Sequence, residues 1–276
     1  MRYCRSSFEN HGRVIMSSSA VTIHATAIVD PKAKLGVGVS IGPYSIVDGN
    51  VSIGEGSVIG AHCVVTGHTT MGKRNRVFTG AIIGSEPQDV KYHGETCYLE
   101  MGDDNYIREY ATVNLGTGEG SKTVIGNDNW LMIQTHIGHN CVLGSHIKLA
   151  NLATLGGHVQ IDDYATVGGV TPVHQFVRVG RYAMIGGGFR AVQDIVPYMI
   201  AGDEPLRIFA VNQIGLERNG FPKEKIDLLK KVHKVIFRNN LTLKEAIRAL
   251  LVDFPQTEEI KYLIEFLSNS TRGIVR

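Results

Sequence analysis

The sequence predicts a parallel β-helix followed by a small helical domain, and three observations carry that reading. An aliphatic residue or Met recurs at every sixth position over long stretches, as in Ile23, Val29, Leu35, Ile41, Val47, Ile53 and Ile59. The residue two before each beat is usually small, as at Ala27, Ser45, Ser57, Cys63, Cys141 and Ala153, and the residue after it is often glycine, as at Gly36, Gly42, Gly54, Gly138 and Gly156. Beyond Pro222 this rhythm gives way to apolar residues three and four apart. A six-residue period fits neither an amphipathic helix, whose stripe recurs at three and four, nor a β-sandwich, whose turns come every 8–12 residues. Short extended segments with a corner every six residues close into a triangular coil, so that residues eighteen apart stack roughly 4.8 Å apart along the axis. The aliphatic beats and the small positions then fill the prism, and its corners account for the 32 glycines. The general crossover rule favours a right-handed turn.

Taken in order, residues 1–19 lie outside the rhythm and are expected to form a disordered tail. They contain Arg and Ser but also Glu9, and they lack the apolar core of a secretory signal. Met16 stands just before the rhythmic part, which makes an upstream or misassigned start an alternative to a leader. Residues 20–205 are assigned to the coil, unbroken from Ile23 to Ile83. Between Ile83 and Met101 the beat is lost, and Gly84 to Gly94, with Pro87 and several polar residues, reads as a loop. A second break spans Leu115 to Thr123, where Gly116, Gly118 and Gly120 read as turn residues; no strand-to-helix context or Walker lysine makes them a phosphate cradle. Loops on a rigid scaffold are where function is usually carried. The beat resumes at Ile125, fades at Ala191 and stops at Pro197.

Residues 206–276 are assigned to a helical domain. Ile226, Leu229, Val232 and Ile236 form one stripe, Thr242 with Glu245 is a capping box opening a second helix through Leu251, and Ile260, Leu263, Ile264 and Leu267 mark a third from about Thr257. This part holds 13 Lys plus Arg against 8 Asp plus Glu, whereas the remainder holds 15 against 18. A solvated helix face accounts for such an excess, and an acidic partner is the sharper reading. The whole chain carries only +2, which argues against nucleic acid as its main partner, and no apolar run reaches the roughly 18–20 residues of a membrane span. Cys4, Cys63, Cys97 and Cys141 show no zinc-like spacing, and a reducing, cytoplasmic setting is expected.

Between the beats lie His136, His139, His158 and His174, at positions that point out of the prism. Eighteen residues per coil puts Gly138, Gly156 and His174 in one column, His139, Gly157 and Gln175 in the next, and Asn140, His158 and Phe176 in the third. Such a cluster suits general base catalysis, a neutral imidazole taking a proton from a hydroxyl as it attacks a carbonyl. Gly157, beside His139, is placed to offer its backbone N–H to the oxyanion. Cys141 is the rival as a covalent nucleophile, disfavoured by its inward position. Three histidines also suit a zinc-dependent hydrase, and a non-catalytic binding β-helix is a third class.

The hexapeptide rhythm, Gln88-Asp89-Val90-Lys91-Tyr92, His136-Ile137-Gly138-His139, Gly157-His158, Val173-His174-Gln175-Phe176, Asn212 with Gly215-Leu216, and the ending Ser270 to Arg276 together resemble the bacterial UDP-N-acetylglucosamine O-acyltransferases. The resemblance covers about Ile23 to Arg276. It implies a left-handed parallel β-helix, a homotrimer with active sites between subunits, and no cofactor or metal. It also implies the first step of lipid A biosynthesis, in which an (R)-3-hydroxyacyl chain moves from acyl carrier protein to the sugar 3-hydroxyl. By position it makes His139 the general base and Gly157 the oxyanion donor. Asp89, Lys91, His136, His158, His174 and Gln175 then hold sugar or acyl groups, Asn212 and Arg218 lie near the nucleotide, and Gly187 sets acyl length, with glycine admitting a chain of about fourteen carbons. The acidic carrier gives the positive helical domain a purpose. Three positions depart from the family pattern: Asn140 replaces a frequent Asp, Asn114 a frequent His, and Asn219 a frequent Arg. A glucosamine N-acyltransferase or a 3-amino-sugar acceptor is the alternative.

Overall fold

The computed structural model describes residues 20–276, so the expected tail falls outside the described residues. Strands of mostly two residues build three flat faces, each a ladder of parallel pairs whose partners are eighteen apart, as in Thr22↔Ser40 and Ser40↔Val58. The first face has eleven strands, from Thr22–Ile23 to Arg207–Val211; the second has eight, from Ile28–Val29 to Pro172–Val173; the third has eight, from Lys34–Leu35 to Arg178–Val179. The beats Ile41, Val47, Ile53, Ile59, Ile137, Leu143 and Leu149 are buried, as are Ser45, Ser57, Cys63 and Cys141 at the small positions. Where that position is larger, the coil uses Asn75, Asn105 and Asn129, fully buried one above another. Each amide spans to the next coil, Asn105 Nδ2 donating to the Gly126 carbonyl at 3.0 Å and Asn129 Nδ2 to that of Gly144 at 3.0 Å. The ladder thereby satisfies polar groups that burial would otherwise leave costly.

The coil is a left-handed parallel β-helix. The crossover rule does not govern it, because that rule arises from twisted strands feeding a helix and two-residue strands carry little twist. Corners fall in the left-handed backbone region at regular intervals, at His146, Leu152, His158, Tyr164, Val170 and Phe176, with φ between 54° and 65°. Most of these residues are not glycine, which corrects the expectation that corners explain the glycines. The glycine after each beat answers a different demand: a Cβ on Gly42 would sit 2.5 Å from the Gly60 carbonyl oxygen, and one on Gly54 would sit 2.5 Å from the Gly72 carbonyl. Glycine is there to let successive coils approach.

Both expected breaks are excursions at the corner between the second and third faces. His68 pairs with Tyr98 and Tyr98 with Lys122, so the register lengthens from eighteen residues to thirty and then twenty-four before returning. Past Ile185 one more parallel strand, Met199–Gly202, joins the first face, and Arg207–Val211 pairs antiparallel with it and ends the sheet. Four helices follow: α1 (Gln213–Arg218), α2 (Lys223–Phe237), α3 (Leu243–Asp253) and α4 (Glu258–Ser268). The stripe of α2 is buried as its spacing requires, and the Thr242–Glu245 capping box opens α3. Short α1 had no stripe by which to be found. Helix α4 is fastened to the coil, with Arg181 4.0 Å over the Tyr262 ring, Arg178 4.2 Å over Phe266, and the Tyr262 hydroxyl donating to Asp162. The chain end returns as well, Asp194 accepting from Ser270 Oγ at 2.7 Å while Val275 N–H donates to the Asp194 carbonyl at 3.0 Å. Among the described residues no helix is long and apolar enough to cross a membrane.

Candidate active site

The corner between the second and third faces carries the expected histidines. His136 lies on the strand His136–Ile137, and its Nδ1 is 2.7 Å from Thr112 Oγ1 on the preceding coil. His139 follows at the corner, with only 14% of its side chain exposed, because the 86–97 excursion folds across it. That excursion places Asp89 Oδ2 3.9 Å from His139 Nε2, while Asp89 Oδ1 accepts from Lys91 N–H at 3.0 Å. On the next coil His158 presents its ring edge-on to His139 at 5.2 Å and stacks on Phe176 at 4.6 Å. His174 lies one coil further, Nδ1 3.1 Å from the Gln175 carbonyl, and Gln175 is exposed. The columns predicted from an eighteen-residue coil are therefore the columns observed.

Gly157 is buried under the His139 ring. A Cβ there would lie 2.4 Å from His139 Nε2 and 2.5 Å from Cε1, so only glycine lets the imidazole lie over this backbone. The Gly157 carbonyl accepts from Phe176 N–H at 3.1 Å, but its own N–H has no acceptor among the described residues. A free donor thus sits beside a ring nitrogen. Burial lowers the pKa of His136, with a further contribution from His139; burial and His139 likewise lower that of His158, against Asp89. Both therefore serve as neutral hydrogen-bonding groups near pH 7. Burial pushes the Cys141 thiol up to about 12, and its Sγ lies 3.2 Å from the Gly156 carbonyl inside the prism. A thiol so placed is no nucleophile. Among the described residues no three His, Cys, Asp or Glu side chains converge as metal ligands.

Three expected residues lie elsewhere. Asn212 and exposed Arg218 line an open cleft of about 690 Å³ on the first face, with Trp130, Lys148, His146 and Tyr182. Asn212 Oδ1 caps α1 by accepting from Gly215 N–H at 3.2 Å, and its Nδ2 donates to the Tyr182 carbonyl at 2.9 Å. Gly187 stands at the corner between the first and second faces, where a Cβ would lie 3.1 Å from the Gly169 carbonyl oxygen. One chain does not bring these residues to His139.

The sequence reading did not assign Thr112, which engages His136, or Thr117, whose N–H donates to Asn140 Oδ1 at 2.9 Å. The eighteen-residue rule could not find either, since the 115–121 excursion makes the two separations twenty-four and twenty-three residues.

Comparison with known proteins gives a consistent picture. The family model described as UDP N-acetylglucosamine O-acyltransferase, Domain 2, matches residues 194–275, and that of the bacterial transferase hexapeptide repeat matches 32–67 and 122–157. A protein of Paracidovorax citrulli named acyl-[acyl-carrier-protein]–UDP-N-acetylglucosamine O-acyltransferase is 50% identical over 260 residues, covering 92% of this chain and 99% of that one. One of the same name from Herminiimonas arsenicoxydans is 46% identical over 259 residues, with the same coverage. Among solved structures, the UDP-N-acetylglucosamine acyltransferase of Francisella novicida superposes with a TM-score of 0.89 at 36% identity, covering 92% of this chain and 94% of that one. That of Bacteroides fragilis gives 0.90 at 39% identity, covering 92% and 100%.

Proposed function

This chain belongs to the UDP-N-acetylglucosamine O-acyltransferase family, and on that premise we propose that His139 is the general base of its reaction and that the site is completed by a second copy of the chain. The protein acylates UDP-N-acetylglucosamine from acyl carrier protein, the first step of lipid A synthesis. In the proposed step His139 Nε2 takes the proton of the sugar 3-hydroxyl as that oxygen attacks the thioester carbonyl of a carrier-bound (R)-3-hydroxyacyl group. The tetrahedral oxyanion accepts from the Gly157 N–H. When the intermediate collapses, the C–S bond breaks and the carrier thiolate takes the proton from the imidazolium, leaving a 3-O-acyl ester and a free carrier thiol. Asp89, Lys91, His136, His158, His174 and Gln175 hold the sugar and the head of the acyl chain.

The observation that carries this reading is the adjacency of the His139 ring to an unclaimed backbone N–H at Gly157. The separation of Asn212 and Arg218 from that corner supports a homotrimer, in which the cleft of one copy supplies the nucleotide contacts for the histidine corner of the next. Gly187, also remote within one chain, would then set acyl length from such a junction. The carrier is acidic, and exposed Lys230 and Lys234 on α2, which share a shallow pocket with Phe209, suit its docking on the 206–276 domain, with the chemistry carried by the 20–205 coil. The setting we assign is cytoplasmic. His139→Ala should lower kcat by at least about 10²-fold with an unchanged circular dichroism spectrum and oligomeric state. A variant keeping more than about a tenth of the native rate would exclude general base catalysis by this residue.

A further inference from the structure

The corner that carries the histidines continues past His174 to the end of the coil, and the chain end closes it. Val173 pairs with Ala191 and Val179 with Ile195, so Val192, Gln193 and Asp194 turn that corner one coil beyond His174, Gln175 and Phe176. The C-terminal segment adds one more layer: Asp194 N–H donates to the Gly273 carbonyl at 2.9 Å, Val275 N–H donates to the Asp194 carbonyl at 3.0 Å, and Asp194 pairs with Ile274. In this layer Arg272 Nε donates to the Val192 carbonyl at 3.1 Å, which tethers the guanidinium to the corner and leaves its two terminal nitrogens without an acceptor among the described residues. The adjacent Asp194 carboxylate does not take them up, because its oxygens accept from Arg178 N–H at 2.9 Å and from Ser270 Oγ at 2.7 Å. Gln193 is exposed at the same corner, its Nε2 3.1 Å from where a Cβ on Gly273 would stand, and its side-chain amide has no hydrogen-bond partner among the described residues. Below it the backbone N–H groups of Gly157, Gln175 and Gln193, one per coil, also have no acceptor among the described residues. A row of donors therefore climbs from the Gly157 N–H to a guanidinium.

We propose that Arg272, with the Gln193 amide, binds the phosphate of the carrier's prosthetic arm, and that the arm lies along the corner between Gly157 and Arg272. The proposal rests on the reading that the thioester meets His139 and Gly157. Acyl carrier proteins hold their thioester on a phosphopantetheine arm, whose sulfur and phosphorus are about thirteen bonds apart; at roughly 1.2 Å of advance per bond in an extended chain, the arm spans about 16 Å. From Gly157 through Gln175 and Gln193 to the Arg272 layer is three steps of about 4.8 Å, or roughly 14 Å. The two lengths agree within the reach of one arginine side chain. The two amide carbonyls of the arm can accept from the N–H groups along the corner. Its phosphate suits a planar guanidinium with unused donors, which grips two oxygens where a lysine offers a point charge. The direction agrees as well, because the row ends where the 206–276 domain, the proposed dock of the carrier, is fastened to the coil. The plainer task for Arg272 is to hold the chain end, but the Nε bond to Val192 already does that and leaves the terminal nitrogens unspent.

Free thioesters separate the phosphate from the rest of the carrier. A 3-hydroxyacyl phosphopantetheine and the same 3-hydroxyacyl pantetheine differ only in the phosphate, and calorimetric titration gives the ratio of their affinities. The native protein should bind the phosphate-bearing thioester roughly 10- to 100-fold more tightly, as charge-assisted hydrogen bonds provide, and rising salt should shrink that ratio. Arg272→Gln should bring the ratio below about threefold by weakening the phosphate-bearing thioester, while Arg272→Lys, which keeps the charge and loses the fork, should lower it by at least about threefold. With the donor on its carrier, Arg272→Gln should raise the donor KM at least about fivefold and leave the KM for UDP-N-acetylglucosamine within about twofold. A native ratio below about threefold, or no measurable binding of either thioester, overturns the proposal before any variant is made. So does an Arg272→Gln protein that keeps the native ratio, whether at native affinity or with both thioesters weakened alike, as a chain end freed from Val192 would weaken them. If Arg272→Gln does not fold, an undiminished ratio in Arg272→Lys overturns it instead. His139→Ala assayed alongside distinguishes the two levels: an active His139→Ala removes the general-base reading beneath the proposal, whereas an inactive one beside a native protein indifferent to the phosphate removes only the assignment of Arg272.

Discussion

Gly157 shows how a single atom decides the site. The His139 ring occupies the space where any side chain at 157 would begin, and the Gly157 N–H beside it has no acceptor among the described residues. Gly157→Ala should therefore displace the imidazole and lower kcat by at least about 10²-fold, a misplacement of this size being enough, while the coil stays intact because the neighbouring ladder bonds do not involve the Cα. Steady-state kinetics with circular dichroism as a control check this, and a Gly157→Ala enzyme within a factor of two of native would refute the packing argument. The pairing of His139 with Gly157 was legible in the sequence, since residues eighteen apart stack. The approach of Asp89 was not, because it lies on an excursion whose path the hexapeptide rhythm leaves unspecified. Nor was the Thr117 contact, which needs the lengthened register between Tyr98 and Lys122.

Among the elements, two kinds of special position were easily confused from sequence alone. Glycine recurs after the beats and suggests corners, yet the residues turning those corners with positive φ include Tyr164, Val170, Phe176 and Tyr182. Half-buried rings at the same corner of successive coils stack instead, Tyr164 on Tyr182 at 4.6 Å and His146 on Tyr164 at 4.4 Å, and this contact offsets part of the left-handed cost. The glycines are needed where coil meets coil. Gly54→Ala, whose Cβ would meet the Gly72 carbonyl carbon at 2.5 Å, should lower stability by about 1–3 kcal/mol as the overpacked backbone shifts. Chemical denaturation measures it, and an unchanged midpoint would show that the coils can separate freely at that glycine. The inward beats and the stripe of α2 were readable because one periodicity dictated each, whereas α1 has too few residues to display one.

Over the whole molecule, charge and site are divided. The basic excess lies beyond Leu206 on α2 and its neighbours, the histidine corner lies on the coil, and the cleft holding Asn212 and Arg218 opens on another face. Within one described chain the two groups of proposed site residues stand apart: His139, Gly157 and the 86–97 excursion with Asp89 and Lys91 at one corner, Arg218, Asn212 and Lys148 in the cleft. In the rotational assembly proposed above, one group would meet the other at every junction. No sequence period could express this, because it relates residues of different copies. The most direct test is complementation between two impaired variants, His139→Ala and Arg218→Glu, each assayed alone and then co-expressed in equal amounts. If each site takes its histidine from one copy and its arginine from the next, random mixing leaves about a quarter of the junctions intact and restores about a quarter of native activity. If both residues serve a site within a single chain, no mixed assembly contains an intact site, and activity no higher than that of the two variants alone would contradict the account.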